Sequence, residues 1–254
     1  MIKKFGLITV WWLIIVSFAF ASGEVEELMN KANNLYQQEK YEEAIKLYNQ
    51  IIDNDYVGPE LYYNLGNAYF RLGKLGYAIL YFEKALKLAP DDSDIQYNLK
   101  IAKARTVDRI QEVPQLFFIE WWNVLVASLS ITSWATIVLI FYLLFLFSIG
   151  LFFLSKKAQI QKQAFLLGSF SLAVLILTAV MLFARINRET SSHYGVLTEQ
   201  VQAVKVSPDE NSNDAFVIHE GIKFKIEDEL KDWAKIKLSD GKVGWLKKDA
   251  FGKI

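Results

Sequence analysis

The sequence predicts a multidomain membrane protein: an all-α helical solenoid, two transmembrane helices and a small all-β barrel. Three observations carry this. Residues recur at a period of 34 through the first part of the chain. Two apolar blocks without a charged side chain come next, at 134–154 and 164–184. Beyond them, apolar and polar residues alternate in short runs divided by turn residues. The 254 residues are 53% hydrophobic, and the two blocks hold the excess over an ordinary water-soluble chain.

Residues 1–21 read as an export signal. Lys3 and Lys4 form a basic start, an apolar run occupies 5–20, and Ala19-Phe20-Ala21 sets small residues where a signal peptidase cuts. Cleavage is expected after Ala21. The bulky Trp11 and Trp12 keep an uncleaved anchor open as the alternative, and either form exports the repeat domain behind it.

The repeat occupies 22–110. Its clearest unit starts at Pro59 and carries Tyr62, Leu65-Gly66, Tyr69, Ala78, Phe82, Ala85 and Pro90. Small residues at 66 and 78 permit two helices to cross closely, large ones at 69 and 82 fill the space between, and Pro90 stops the second helix because proline cannot continue the hydrogen-bond ladder. This pattern resembles the tetratricopeptide repeat (TPR). One period earlier the slots hold Leu28, Ala32, Leu35, Ala44, Tyr48 and Ile51. One period later Tyr97-Asn98-Leu99 repeats Tyr63-Asn64-Leu65, but Lys100 and Lys103 replace Gly66 and Tyr69. Two units plus a solvating capping helix are expected.

Such arrays imply a peptide groove lined by the first helix of each unit. Asn30, Asn64 and Asn98 share one repeat position, Asn33 and Asn67 another, and Arg71 and Arg105 a third, with Tyr63 and Phe70 among them. Amides can hold an extended backbone and arginines a carboxylate. The alternative is an ordinary solvated face, or a groove filled by the chain's own linker.

An interfacial linker is expected over 111–133, where Glu120-Trp121-Trp122 suits either a helix in the headgroup layer or the aromatic belt of a longer first span. The blocks 134–154 and 164–184 each reach about 30 Å as helices, enough to cross a bilayer. Between them, 155–163 carries Lys156, Lys157 and Lys162 and no acid, which assigns it to the cytoplasm. The lipid bilayer is therefore a partner, and the expected site is the inner membrane, multi-pass, with both folded parts on the periplasmic side. The spans hold no acid, base or histidine, so they read as anchors rather than an ion path. A linker over 185–195 precedes the last domain.

Over 196–254, period-two runs occur at 201–206, 222–226 and 233–238, and Asp240-Gly241 signals a tight turn into Val243-Gly244-Trp245-Leu246. Five short strands are expected. The stretches Ala203-Val204-Lys205-Val206, Glu220-Gly221, Asp232-Trp233-Ala234-Lys235-Ile236 and Asp240-Gly241-Lys242-Val243-Gly244-Trp245-Leu246 resemble the bacterial SH3-like family. That resemblance implies a ligand surface at Trp233 and Trp245. The alternative sets Trp245 in the core with Trp233 half-buried.

No catalytic constellation emerges, and the chain is not expected to be an enzyme. It has no cysteine, and two distant histidines, His193 and His219, do not make a zinc site without one. No metal site and no cofactor are expected. Asp53-Asn54-Asp55 with Gly58 fails as a calcium loop, because Val57 and Asn64 occupy ligand positions. Zero net charge gives no footprint for nucleic acid.

Taken in order, the parts resemble the E component of the Bat aerotolerance family of Bacteroides-type bacteria. The stretch 98–110 and Glu120-Trp121-Trp122 are similar to that family. The resemblance implies a protein-interaction scaffold whose partners are other membrane proteins, Bat components carrying von Willebrand A-type domains, in a setting of oxidative or envelope stress. The alternative function is an envelope sensor whose SH3-like domain binds cell wall, which makes peptidoglycan the further ligand.

Overall fold

The structure is a computed structural model that describes residues 24–110, 116–191 and 193–254. The expected signal segment 1–21 and its cleavage point lie outside the described residues. The chain divides into two compact units. One joins the first part of the chain to 193–254, and the other spans the middle.

The first unit opens on five helices: α1 (24–37), α2 (Tyr41–Asp53), α3 (Pro59–Arg71), α4 (Leu75–Leu88) and α5 (Ser93–Ala104). Three boundaries have a clear local cause. Pro59 takes the first position of α3 behind an extended Gly58, where the missing N–H costs nothing. Asp92 caps α5, its carboxylate accepting from the backbone N–H of Asp94 (2.9 Å) and Ile95 (3.1 Å). Gly73 turns the chain out of α3 at φ +75°, and the equivalent residue one repeat earlier, Glu39, adopts φ +63° without glycine's freedom.

Helix packing obeys the repeat. Ala32, Ala44, Ile51, Leu61, Leu65, Ala78 and Ala85 are fully buried, with Tyr48 and Phe82 nearly so. A Cβ on Gly66 would meet the Phe82 ring at 2.6 Å, so this crossing requires glycine. Tyr69 stacks on Tyr77 and Tyr81, at centroid distances of 4.9 and 5.5 Å. The capping helix departs from the expectation. Lys100 is exposed, but the Lys103 ammonium lies 2.6 Å from the Glu83 carboxylate on α4, so this face of α5 is engaged.

The same unit ends in β1 (Tyr194–Leu197), β2 (Val201–Lys205), β3 (Asp214–His219), β4 (Lys223–Leu230), β5 (Trp233–Lys237), β6 (Val243–Lys247) and β7 (Phe251–Lys253). They form one antiparallel sheet in the order β3-β2-β6-β5-β4-β1-β7. Seven strands replace the five expected. β1 begins before 196, and β3 and β7 are too short or too uniformly apolar to display alternation. Inward residues Leu197, Val204, Ile218, Phe224, Ile236 and Leu246 make its core. The two folds share an interior: Val196 of β1 is fully buried in the helical core, and Ile254 packs against that core.

The second unit contains α6 (Phe117–Ala127), α7 (Ile131–Leu154) and α8 (Ala158–Ser191). The last two are long and apolar enough to cross a membrane. They pack along their length, closely enough that a Cβ on Gly168 would lie 2.6 Å from the Ser148 hydroxyl. Two boundaries differ from expectation. The lysine loop shrinks to 155–157 and places Lys162 in α8, while the expected linker at 185–195 is helical to Ser191. Both shifts have one cause: polar residues end a hydropathy block without ending a helix.

Candidate interaction surfaces

The first helices of the repeat, α1, α3 and α5, present the predicted asparagines. Asn64 Nδ2 donates to Asn33 Oδ1 at 3.1 Å, and one repeat later Asn98 Nδ2 donates to Asn67 Oδ1 at 2.9 Å. The positions that the sequence sets as separate columns thus meet in pairs between neighbouring helices. Tyr48 adds a hydroxyl donor to Asn33 Oδ1 (2.6 Å), and burial raises its pKa, which keeps the hydroxyl protonated. The Tyr63 hydroxyl accepts from Asn98 Nδ2 at 2.9 Å. These four asparagines are half-buried, whereas Asn30 is exposed on α1. Each pair uses one amide oxygen and one amide nitrogen, so a complementary donor and acceptor remain for a ligand.

The arginines are held by aromatic neighbours. Arg71 Nε donates to the Tyr41 hydroxyl at 3.0 Å, and its terminal nitrogen lies 4.0 Å from Glu39. The Arg105 guanidinium sits 4.6 Å from the centroid of Phe70. Both remain largely exposed. A ligand carboxylate at Arg71 competes with Glu39.

On the sheet, Trp233 and Trp245 both point outward and are half-exposed, so Trp245 is not a core residue. Register explains it: Ala234, Ile236, Gly244 and Leu246 take the inward positions of β5 and β6, and alternation turns 233 and 245 to the other face. Trp245 pairs with Lys235 and Lys205 across neighbouring strands, and the Lys247 ammonium lies 5.8 Å from the Trp233 centroid.

The surface that sequence reasoning missed is on the second helix of the second repeat. α4 carries Gly76, Leu80 and Glu83 against the sheet domain. A Cβ on Gly76 would stand 2.5 Å from the Leu197 carbonyl, and its N–H donates to the Glu220 carboxylate at 2.9 Å. Leu80 packs against Gly252. Glu83, 5% exposed, accepts from Lys103 on α5 (2.6 Å) and from Lys223 on β4 (2.7 Å). Burial alone would raise its pKa; the two ammonium groups outweigh that and hold it below the ordinary carboxylate value. Beyond α5, Asp108 accepts from the His219 backbone N–H (2.8 Å) and meets its ring Nδ1 (2.9 Å), a structural role for that histidine. Gly221 stands at φ +85°, and an added Cβ would meet Ile79 and Thr106 at 2.7 Å each.

Comparison with known families matches residues 29–93 to the tetratricopeptide repeat, from within α1 to the first residue of α5. Comparison with curated proteins finds no match. The helical repeat region is thus consistent with a tetratricopeptide solenoid, and repeats of this kind serve protein–protein interaction.

Proposed function

From that repeat we propose a membrane-anchored, periplasm-facing protein-interaction scaffold, working in a Bat-type envelope complex linked to aerotolerance. The α1–α3–α5 face takes an extended segment of a partner, a membrane protein with a von Willebrand A-type domain. The sheet domain, read as SH3-like, offers Trp233 and Trp245 to a second ligand. α7 and α8 are the spans, with Lys156, Lys157 and Lys162 at the cytoplasmic end.

The observation that carries the reading is the division of the repeat's surface. The α4 side is covered by the chain's own sheet domain through Gly76, Leu80 and Glu83, while the asparagine pairs on the opposite helices stay half-open with hydrogen-bonding capacity left. A second support is connectivity. The first unit is assembled from segments on both sides of the helical pair, and two crossings return a chain to the side it left. The sensor alternative is disfavoured, since a connection of 155–157 leaves no signalling domain between the spans.

Substituting Asn64→Ala, Asn67→Ala and Arg71→Ala together is expected to lower partner capture from solubilised membranes at least about tenfold, while the lost Asn33–Asn64 and Asn67–Asn98 bonds destabilise the first unit by about 1–3 kcal/mol and leave it folded by circular dichroism. Full capture by the folded triple variant would remove the groove from the proposal. A phosphatase reporter fused after Ile254 is expected to be active; activity of a cytosolic reporter at the same point would reverse the orientation.

A further inference from the structure

Helix α6 is separate from α7, divided from it by a turn in which the Ser128 hydroxyl donates to the Leu125 carbonyl and Ser130 caps α7 by accepting from the Ser133 N–H. It is therefore a distinct element and not the opening of a longer span. One side is anchored within its unit: Val126, Trp134 and Met181 form a buried cluster with Leu182 and Ala184 beside it, and the Trp134 indole N–H donates to the Val126 carbonyl at 3.3 Å. At about 100° per residue, the side chains divide into three arcs around the helix. Val126 is buried on one arc, beside the more open Ile119 and Trp122, and Leu125 packs half-buried against the same cluster from the C-terminal end of the next arc. Glu120 and Asn123 lie on a polar arc. Phe117, Phe118, Trp121 and Val124 lie on a third, where Phe117 is 82%, Trp121 66% and Val124 64% exposed.

We infer that α6 lies in the plane of the bilayer surface, its third arc sunk into the boundary between headgroups and acyl chains and its Glu120 arc turned to water. This rests on the proposed role of α7 and α8 as membrane spans. Three observations select lipid as the occupant. The arc is as open as the apolar side chains of α7 in the same unit, where Leu139, Leu143 and Phe147 are exposed to a similar degree. The anchoring cluster sits at Met181 and Ala184, immediately before Arg185 ends the apolar run of α8, which is the level of a membrane surface. The arc is aromatic-rich, as side chains at that level are. α6 carries no lysine or arginine, so the attachment is apolar and does not require anionic lipid.

The natural absence of cysteine permits single-site spin labels in the full chain. Trp121→Cys, Val124→Cys, Glu120→Cys and, on α7, Ile140→Cys are labelled and reconstituted in phosphatidylethanolamine–phosphatidylglycerol vesicles, and collision with oxygen is compared with collision with a water-soluble nickel chelate. The expected result is nickel exclusion at 140, and an oxygen-to-nickel ratio at 121 and 124 at least about threefold above that at 120, unchanged by salt. Equal nickel access at 120, 121 and 124 with a dry 140 overturns the inference and leaves the spans standing. A wet 140 overturns the spans and the inference together. Spin–spin broadening between chains at 124, with neither collider reaching it, gives the face to a second copy and also overturns the proposal.

Discussion

The second helices of the two repeats, α2 and α4, occupy the same slot in the solenoid yet meet different surroundings. α2 shows Glu42 and Lys46 to solvent and keeps Asn49 half-buried; α4, one period on, has Gly76, Leu80 and Glu83 at those positions, all buried. Their inner faces match: Ala44 and Tyr48 in one helix, Ala78 and Phe82 in the other. The shared slots describe how a repeat packs on itself, and the divergent ones describe what else it touches. A helix-to-sheet interface is written into this chain as a departure from its own repeat.

The sharpest way to break the comparison is to exchange the divergent residues. Leu80→Lys restores the residue of the first repeat and drives an ammonium into the Gly252 contact. It is expected to cost about 3–4 kcal/mol in denaturant unfolding. The mirror change, Lys46→Leu on the exposed position, is expected to stay within about 0.5 kcal/mol. Equal effects would mean that the two faces are equivalent.

Next in size is Glu83→Ala, expected to cost about 2–3 kcal/mol. That falls below the full cost of breaking a buried pair because the Lys103 and Lys223 side chains are 46% and 34% exposed and keep part of their water. Acid sharpens the test. Because the folded pKa of Glu83 is depressed, its contribution is complete above the ordinary carboxylate value and is lost as pH falls through the folded value. The stability difference between wild type and Glu83→Gln is therefore expected to shrink on the acid side of that range, read from urea midpoints across pH.

The smallest effect is at the turns that close the first helices. Glu39 and Gly73 share a repeat position and a left-handed backbone, at φ +63° and +75°. Glu39→Gly is expected to stabilise by about 0.5–1 kcal/mol by removing a Cβ penalty, and Gly73→Ala to destabilise by about 1–2 kcal/mol. Thermal midpoints of the two variants should move in opposite directions.

The helical repeat was legible because its signals are local: small residues at crossings, Pro59 at a helix start, Asp92 as a cap. The alternating strands β2, β4, β5 and β6 were legible for the same reason. What sequence could not display depends on partners far along the chain. β3 and β7 lack a clear alternation, and β1 is buried from both sides, by the sheet core at Leu197 and by the helical core at Val196. The asparagine columns were visible, but not that neighbouring columns close on each other as Asn33–Asn64 and Asn67–Asn98. The arginines were visible, but not their aromatic neighbours Tyr41 and Phe70. Glu83 left one trace, an acid inside the apolar run Leu80-Tyr81-Phe82-Glu83, and reading it required comparing the two repeats at the slots outside the consensus.

The first unit depends most on the repeat and the sheet domain sharing one interface. Its direct test is a double-mutant cycle between Glu83→Gln and Lys223→Met in the full chain, read by unfolding in detergent. A coupling energy of about 1–2 kcal/mol is predicted for these two residues, 140 apart in sequence and 2.7 Å apart in space. Additivity within about 0.3 kcal/mol would show that the two carry no shared energy, and the covered face would have to be given up.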